Sequence, residues 1–311
     1  MIYTVTPNPV LDRTLFVEQL ILDGIARAVA VRVDYGGKGI NVSRVLHALG
    51  LKSIATGFVG GATGAALLSG LKSLGIENDF LHIAGETRTN IVVMDRTNAH
   101  YIKVNAPGPW VGAAEIGLLK EKVVQSAVAG STWVLSGSLP PGAPGELYAD
   151  LIALLKQHSA RTVLDSSGEP LRCGFMARPY LVKPNAAEAE ELSGLKIDNR
   201  RAALENASFF IEQGVELVAL SMGADGLLLA NANRAVWATP PRVSVKSIVG
   251  AGDALLAGLV WGIEKGLTFD QLAAWGVATG AAATTAEGVS LVNPADIQRI
   301  FEQVRIDELD G

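Results

Sequence analysis

Gly250-Ala251-Gly252-Asp253 is the tetrad of this 311-residue chain with the clearest capacity for chemistry. It follows a strand-like run and opens a helix, so three small residues let backbone N–H groups crowd an anion at the positive helix end. Asp253 brings a carboxylate into the same turn, where it could accept a proton from a reacting group held there. An acidic residue in a first helical turn also complements the helix dipole, and the tetrad alone leaves both readings open. Gly36-Gly37-Lys38-Gly39 is a second place where backbone can approach a ligand closely, here with a cation added. By itself it is equally a flexible turn, and it is not the G-x-x-x-x-G-K-[ST] phosphate loop.

Further polar residues close strand-like runs. Lys183-Pro184-Asn185 follows Tyr180–Val182, with Glu188 three residues on. Asn185 and Glu188 on one helical face suit water around Mg2+, and they suit a capped helix start just as well. Ser221-Met222-Gly223-Ala224-Asp225-Gly226 either wraps a nucleotide or simply turns between two strands. Ser136-Gly137-Ser138 offers hydroxyls to a sugar or a phosphate. The G-x-S-x-G elbow of serine hydrolases is missing, and Leu255 breaks the G-x-G-x-x-G fingerprint of dinucleotide folds. His47, His82, His100 and His158 lack metal-ligand spacing.

Hydrophobic patterning supplies the scaffold that must gather these segments. Ile2–Thr6, Ser53–Val59, Thr132–Ser136, Thr162–Asp165, Tyr180–Val182 and Leu217–Ser221 read as strands. Helices are expected at Asn41–Leu49, from a Thr63 cap to Gly75, and at Gly145–Gln157, Ala186–Leu192 and Arg200–Gln213. The alternation predicts an α/β fold with a mostly parallel sheet covered on both faces, and ligands at the carboxyl ends of its strands. Ala28–Tyr35 alternates as a strand, and Asn90–Asp95 with His100–Asn105 flanks Arg96-Thr97-Asn98-Ala99 in the manner of a hairpin. Residues 12–35 and 87–104 are therefore expected to form a small β-sheet lid on a single domain spanning 1–311, an ordinary edge hairpin being the alternative. Pairing with a second copy would protect the edges of such a lid.

A net charge of −5 provides no basic surface for nucleic acid. No apolar stretch reaches the ~20 residues of a membrane span. Cys173 is the single cysteine, so the chain holds no internal disulfide and a reducing compartment is expected. Met1-Ile2-Tyr3-Thr4-Val5 starts directly as strand with no signal peptide, which predicts a cytoplasmic protein.

Taken together and in order, these segments resemble the ribokinase-like carbohydrate kinases, also called the PfkB family, over essentially the whole chain. Gly36-Gly37-Lys38-Gly39-Ile40-Asn41-Val42-Ser43 looks like the family's N-terminal signature, and Ser247-Ile248-Val249-Gly250-Ala251-Gly252-Asp253 like its C-terminal one. Thr6-Pro7-Asn8-Pro9-Val10-Leu11-Asp12, Thr87-Arg88-Thr89-Asn90, Ser136-Gly137-Ser138-Leu139-Pro140 and Lys183-Pro184-Asn185 are similar to the phosphosugar branch, most of all 1-phosphofructokinase.

The resemblance implies a three-layer α/β/α sandwich with a β lid often shared in a homodimer. It implies ATP and Mg2+, with Asp253 as general base and Gly250, Ala251 and Gly252 as anion hole. The sugar phosphate would be held by Asp12, Gly37, Lys38, Asn41, Arg88, Lys103 and Ser138. The nucleotide would be held by Lys183, Asn185, Ser221, Gly223 and Gly226. Ile248 stands where many relatives carry Thr, which removes a hydroxyl from the nucleotide side. The implied acceptor is a ketohexose phosphate, fructose 1-phosphate first, with tagatose 6-phosphate and fructose 6-phosphate as alternatives and a non-catalytic phosphosugar-binding regulator as the rival class. Two dianions ~8 Å apart repel by roughly 2 kcal/mol in water and by about 8 kcal/mol at an effective dielectric near 20. Local cations such as Lys38 and Arg88 must offset that cost.

Overall fold

The computed structural model describes residues 1–21, 23–98, 100–286 and 292–309. Strands Ile2–Thr6, Ser53–Val59, Thr132–Ser136, Arg161–Asp165, Leu181–Val182 and Leu217–Ser221 form the parallel heart of a sheet that has eleven strands among the described residues. Alternate residues of one strand feed separate cores. Trp133 and Leu135 pack with Tyr148, Leu151 and Phe210 on one face, while Val134 packs with Leu256 and Ala278 on the other. Burial on both faces is why these strands read as near-continuous apolar runs.

Past Leu217–Ser221 the sheet continues antiparallel through Leu227–Asn231, Arg234–Thr239 and Arg305–Leu309. The predicted three-layer, mostly parallel arrangement is therefore present, with an antiparallel flank added. No helix among the described residues is long and apolar enough to cross a membrane.

A second, four-stranded sheet has the spatial order Ala28–Gly36, Val10–Val17, Arg88–Asp95, Tyr101–Val104. Val10–Val17 lies inside it, although Asp12 and Arg13 break the apolar pattern by which the sequence would announce a strand. The expected hairpin is present around Arg96, Thr97 and Asn98; Ala99 and Leu22 lie outside the described residues. Cross-strand partners share a face. Asp12 stands opposite both Asp34 and Asn90, and Lys103 opposite Val92, so one face carries Asp12, Asp34, Asn90 and Lys103. The other carries Val31, Val33, Ile91, Ile102 and Val104, all exposed.

Two helix starts differ from expectation. The first helix begins at Lys38 rather than Asn41, because Gly37 takes the N-cap position at φ 122° and the chain turns helical at once. Lys38 and Asn41 thus belong to one helical turn. Thr63 does not cap its helix, which runs Gly61–Ser73 from an N-cap at Gly60; the capping oxygens come from Glu86, 23 and 24 residues away in sequence.

Gly226 closes the turn after Leu217–Ser221 at φ 110°, where a Cβ would run into the Ala238 carbonyl oxygen. Gly226→Ala should therefore cost at least ~1 kcal/mol of stability, read from urea denaturation, before any effect on ligand binding is considered.

Candidate active site

Neighbouring parallel strands run in register, Val5 opposite Leu135, Leu135 opposite Leu164 and Leu164 opposite Val182. Their carboxyl ends therefore deliver Ser136-Gly137-Ser138, Asp165 and Lys183 to one edge of the sheet. Backbone bonds sew these ends together: Gly137 N donates to the Asp165 carbonyl and Lys183 N to that of Leu164, each at 3.0 Å.

An ion cluster sits at the middle of this edge. Lys38 Nζ lies 2.9 Å from Asp165 Oδ1, and Lys183 Nζ lies 3.4 Å from the same oxygen. Asp165 and Lys183 are almost completely buried, whereas the Lys38 side chain remains 37% exposed and can meet a ligand. The second Asp165 oxygen, Oδ2, is buried without a hydrogen-bond partner among the described residues. Sequence reasoning misses Asp165 as a functional residue. Its signal was available: an acidic side chain ending an apolar strand is almost never buried unless paired.

Asp253 is also buried, and its Oδ2 accepts a hydrogen bond from Asn41 Nδ2 at 2.7 Å. That bond ties helix Ala251–Lys265 to helix Lys38–Ala48. Burial, and then repulsion from Asp165, pushes the Asp253 carboxyl up to about 6, against the pull of Asn41, Lys38 and Lys183. Burial works against the charge on Lys38, but Asp165 outweighs it and the ammonium titrates above its ordinary range.

Gly250, at φ 81°, starts the Asp253 helix with no capping side chain among the described residues. A Cβ on Gly252 would stand 3.6 Å from Lys183 Nζ, so a helix N-terminus and a buried ammonium converge on one spot. Together they make an anion site that fits nucleotide phosphates.

The remaining predicted residues fall into two further groups. On the small sheet, Asp12 Oδ1 accepts from Asn90 Nδ2 at 2.9 Å, and burial raises the Asp12 carboxyl despite Asn90, Lys103 and Arg88. Arg88 is half-buried, its Nη2 donating to the Asn8 carbonyl at 3.0 Å and its Nη1 to that of Ala106 at 3.1 Å. Its Nε is buried and unpartnered among the described residues. A Cβ on Gly36 would meet Asp12 Oδ2 at 3.0 Å, and one on Gly37 would meet Thr6 Cγ2 at 2.6 Å, so the glycine pair joins this group to the strand ends. Lys103 and Ser138 are exposed.

In the group expected to hold the nucleotide, a bridge pairs Asn185 with Ser221, whose N donates to the Pro184 carbonyl at 3.0 Å. Gly223 stands at φ 59° with open space where a Cβ would lie. Asn185 and Glu188 form a capping box: Asn185 Oδ1 accepts from Glu188 N, and Glu188 Oε2 accepts from Asn185 N, each at 2.9 Å. The capping reading of this pair therefore holds, and Glu188 Oε1 is the oxygen left for other partners. Among the described residues no cluster of three His, Cys, Asp or Glu side chains forms a ready-made metal site. Mg2+ keeps most of its water and takes one or two carboxylates beside substrate phosphates, so this donor set fits an ion carried in on a nucleotide.

The pfkB family carbohydrate kinases match this chain over residues 8–296. The 1-phosphofructokinase of Borreliella burgdorferi is 35% identical over 310 residues, covering 99% of each chain. The tagatose-6-phosphate kinase of Staphylococcus epidermidis is 30% identical, covering 99% of this chain and 100% of its own. The crystal structure of phosphofructokinase-2 from Escherichia coli in complex with substrates and products superposes with a TM-score of 0.91 at 30% identity, covering 97% of this chain and 98% of that one.

The raised Asp253 carboxyl has a consequence for stability. Between about pH 4 and about pH 6 the folded protein holds a proton that the unfolded chain has released, so stability falls as pH rises through that window. Asp253→Asn should accordingly be more stable than the unsubstituted protein at pH 7, an advantage that shrinks as the pH approaches 4 in a series of denaturation curves.

Proposed function

This chain belongs to the pfkB family of carbohydrate kinases, and we propose that within it the protein transfers the γ-phosphoryl of ATP to the free primary hydroxyl of fructose 1-phosphate. A phosphotransferase of this family acts on an alcohol acceptor and uses ATP. The observation that supports the further assignment is the convergence at Asp253: a buried carboxylate on Asn41, at the mouth of an open helix N-terminus that Lys183 also faces.

In this reading the sugar hydroxyl approaches Asp253, which accepts its proton as the oxygen bonds to phosphorus and ADP leaves. Backbone N–H groups at Gly250, Ala251 and Gly252 and the Lys183 ammonium stabilise negative charge on the migrating group. Lys38 lies between the two anionic partners and lowers their repulsion. Arg88, with Asp12 and Asn41, would orient the phosphosugar, since a guanidinium fork suits a phosphate. Ser138 and Lys103 would add contacts at its exposed rim. Asn185, Ser221, Gly223 and Gly226 would shape the nucleotide side, Gly226 through backbone geometry alone. Mg2+ bound with ATP would be touched by Asn185 and Glu188 through water and would neutralise phosphate charge.

The small sheet would close over the sugar and exclude the water that competes as acceptor. Its outer face carries Val31, Val33, Ile91, Ile102 and Val104, with Val31 57% and Val104 59% exposed. A second copy of the chain would cover that face, which supports a homodimer through the lid. Tagatose 6-phosphate is the alternative acceptor, favoured by the Staphylococcus epidermidis relative, and fructose 6-phosphate is the next.

ADP release should be fastest with fructose 1-phosphate among fructose 1-phosphate, fructose 6-phosphate, tagatose 6-phosphate and fructose. Release with none of them would favour a non-catalytic binder. Asp253→Asn should lower kcat by ~10²–10⁴ while the fold persists, the usual worth of a general base. The activity should also fall off below about pH 6, the range to which Asp253 is raised. Asp165→Asn should move that acidic limb to lower pH, because it removes the negative charge that repels the Asp253 carboxylate.

A further inference from the structure

Helix Gly61–Ser73 begins at the carboxyl end of strand Ser53–Val59, yet its N-terminus is not open like those at Gly37 and Gly250. Glu86 fills it. Oε2 accepts from Ala62 N at 3.2 Å and Oε1 from Thr63 N at 2.5 Å, and Gly61 takes φ 65°, where a Cβ would collide with that carboxylate. The following residue clamps the same turn in both directions. Gly60 N donates to Thr87 Oγ1 and Thr87 N donates to the Gly60 carbonyl, each at 2.9 Å.

Next in the chain is Arg88, whose two terminal nitrogens are held by the Asn8 and Ala106 carbonyls. Two residues on, Asn90 donates to Asp12 and accepts from Ala106 N at 3.0 Å. Four of the five residues from Glu86 to Asn90 are thus bonded to segments distant in sequence. Glu86 itself is exposed, so it adds nothing to a hydrophobic core. Its contribution is directional: a carboxylate on two N–H groups at a positive helix end is a charge-assisted anchor.

We infer that Glu86 is a positioning residue for the phosphosugar, its carboxylate pinning the root of strand Arg88–Asp95 to the N-terminus of helix Gly61–Ser73 and so aiming the Arg88 guanidinium. The inference rests on the proposed function for the identity of what Arg88 meets. The same geometry explains why three glycine-led helix starts near the site differ. Two are left open for ligand anions, and the third is occupied by the protein's own.

The test compares Glu86→Ala, Glu86→Gln and Glu86→Asp with the unsubstituted full chain and with Arg88→Ala. Glu86→Ala should raise KM for fructose 1-phosphate about ten-fold or more while KM for ATP stays within about two-fold, the signature of lost sugar binding. Amide hydrogen exchange at Thr87–Asn90 should accelerate in the same variant without substrate. Formate at ~0.1 M should restore part of both, since a free carboxylate can reoccupy the vacated helix end. Glu86→Gln keeps the side chain's size and one acceptor, and should fall between Glu86→Ala and the unsubstituted chain. Equal rises in both KM values, or unchanged exchange at Thr87–Asn90, would overturn the inference. If the unsubstituted protein phosphorylates none of the phosphosugars, the assigned activity fails, and exchange at Thr87–Asn90 still decides whether Glu86 anchors the strand.

Discussion

Two lysines and two carboxylates meet at the sheet edge: Lys183, Asp165 and Asp253 are buried, and Lys38 reaches them from the partly exposed side. Such a cluster is tolerable only because the charges balance and Asp165 is paired by both ammonium groups. The balance has a chemical product. Burial, and then repulsion from Asp165, lifts the Asp253 carboxyl to about 6, while Lys38 and Lys183 hold positive charge beside it. The burial and the charge that raise the Asp253 carboxyl also make the folded state weaker at neutral pH.

The sheet's geometry makes this cluster possible. Parallel neighbours in register bring their carboxyl ends to one edge, and each connection supplies a helix whose N-terminus faces that edge. What distinguishes these N-termini is their occupant. The starts at Gly37 and Gly250 have no side-chain cap among the described residues, that at Asn185 is closed by its own capping box, and that at Gly60 by Glu86. Helices Leu147–Gln157 and Gly168–Met176 also start without a side-chain cap among the described residues, so an open start alone does not mark a site.

The small sheet is two-sided in the same spirit. Strand alternation puts Asp12, Asp34, Asn90 and Lys103 on one face and five exposed aliphatic side chains on the other. The polar and apolar residues of this sheet are thus sorted onto separate surfaces by strand alternation alone. The link from this sheet to the frame runs through Glu86, Thr87 and Arg88, where the strand begins.

Periodicity and short motifs were sufficient, from the sequence alone, for the α/β class, most of the parallel strands, the second sheet's hairpin and the tetrad ending in Asp253. These are local properties: alternation, glycine runs and polar strand ends can be read within a dozen residues. Asp165, the capping role of Glu86, the strand Val10–Val17 and the raised carboxyl of Asp253 required the tertiary structure. Each depends on a partner far along the chain: Lys38 lies 127 residues from Asp165, and Asn41 lies 212 from Asp253. Residue type says that a charge is present; only the folded chain decides which opposite charge, dipole or dry surface it meets, and that meeting sets its pKa and its role.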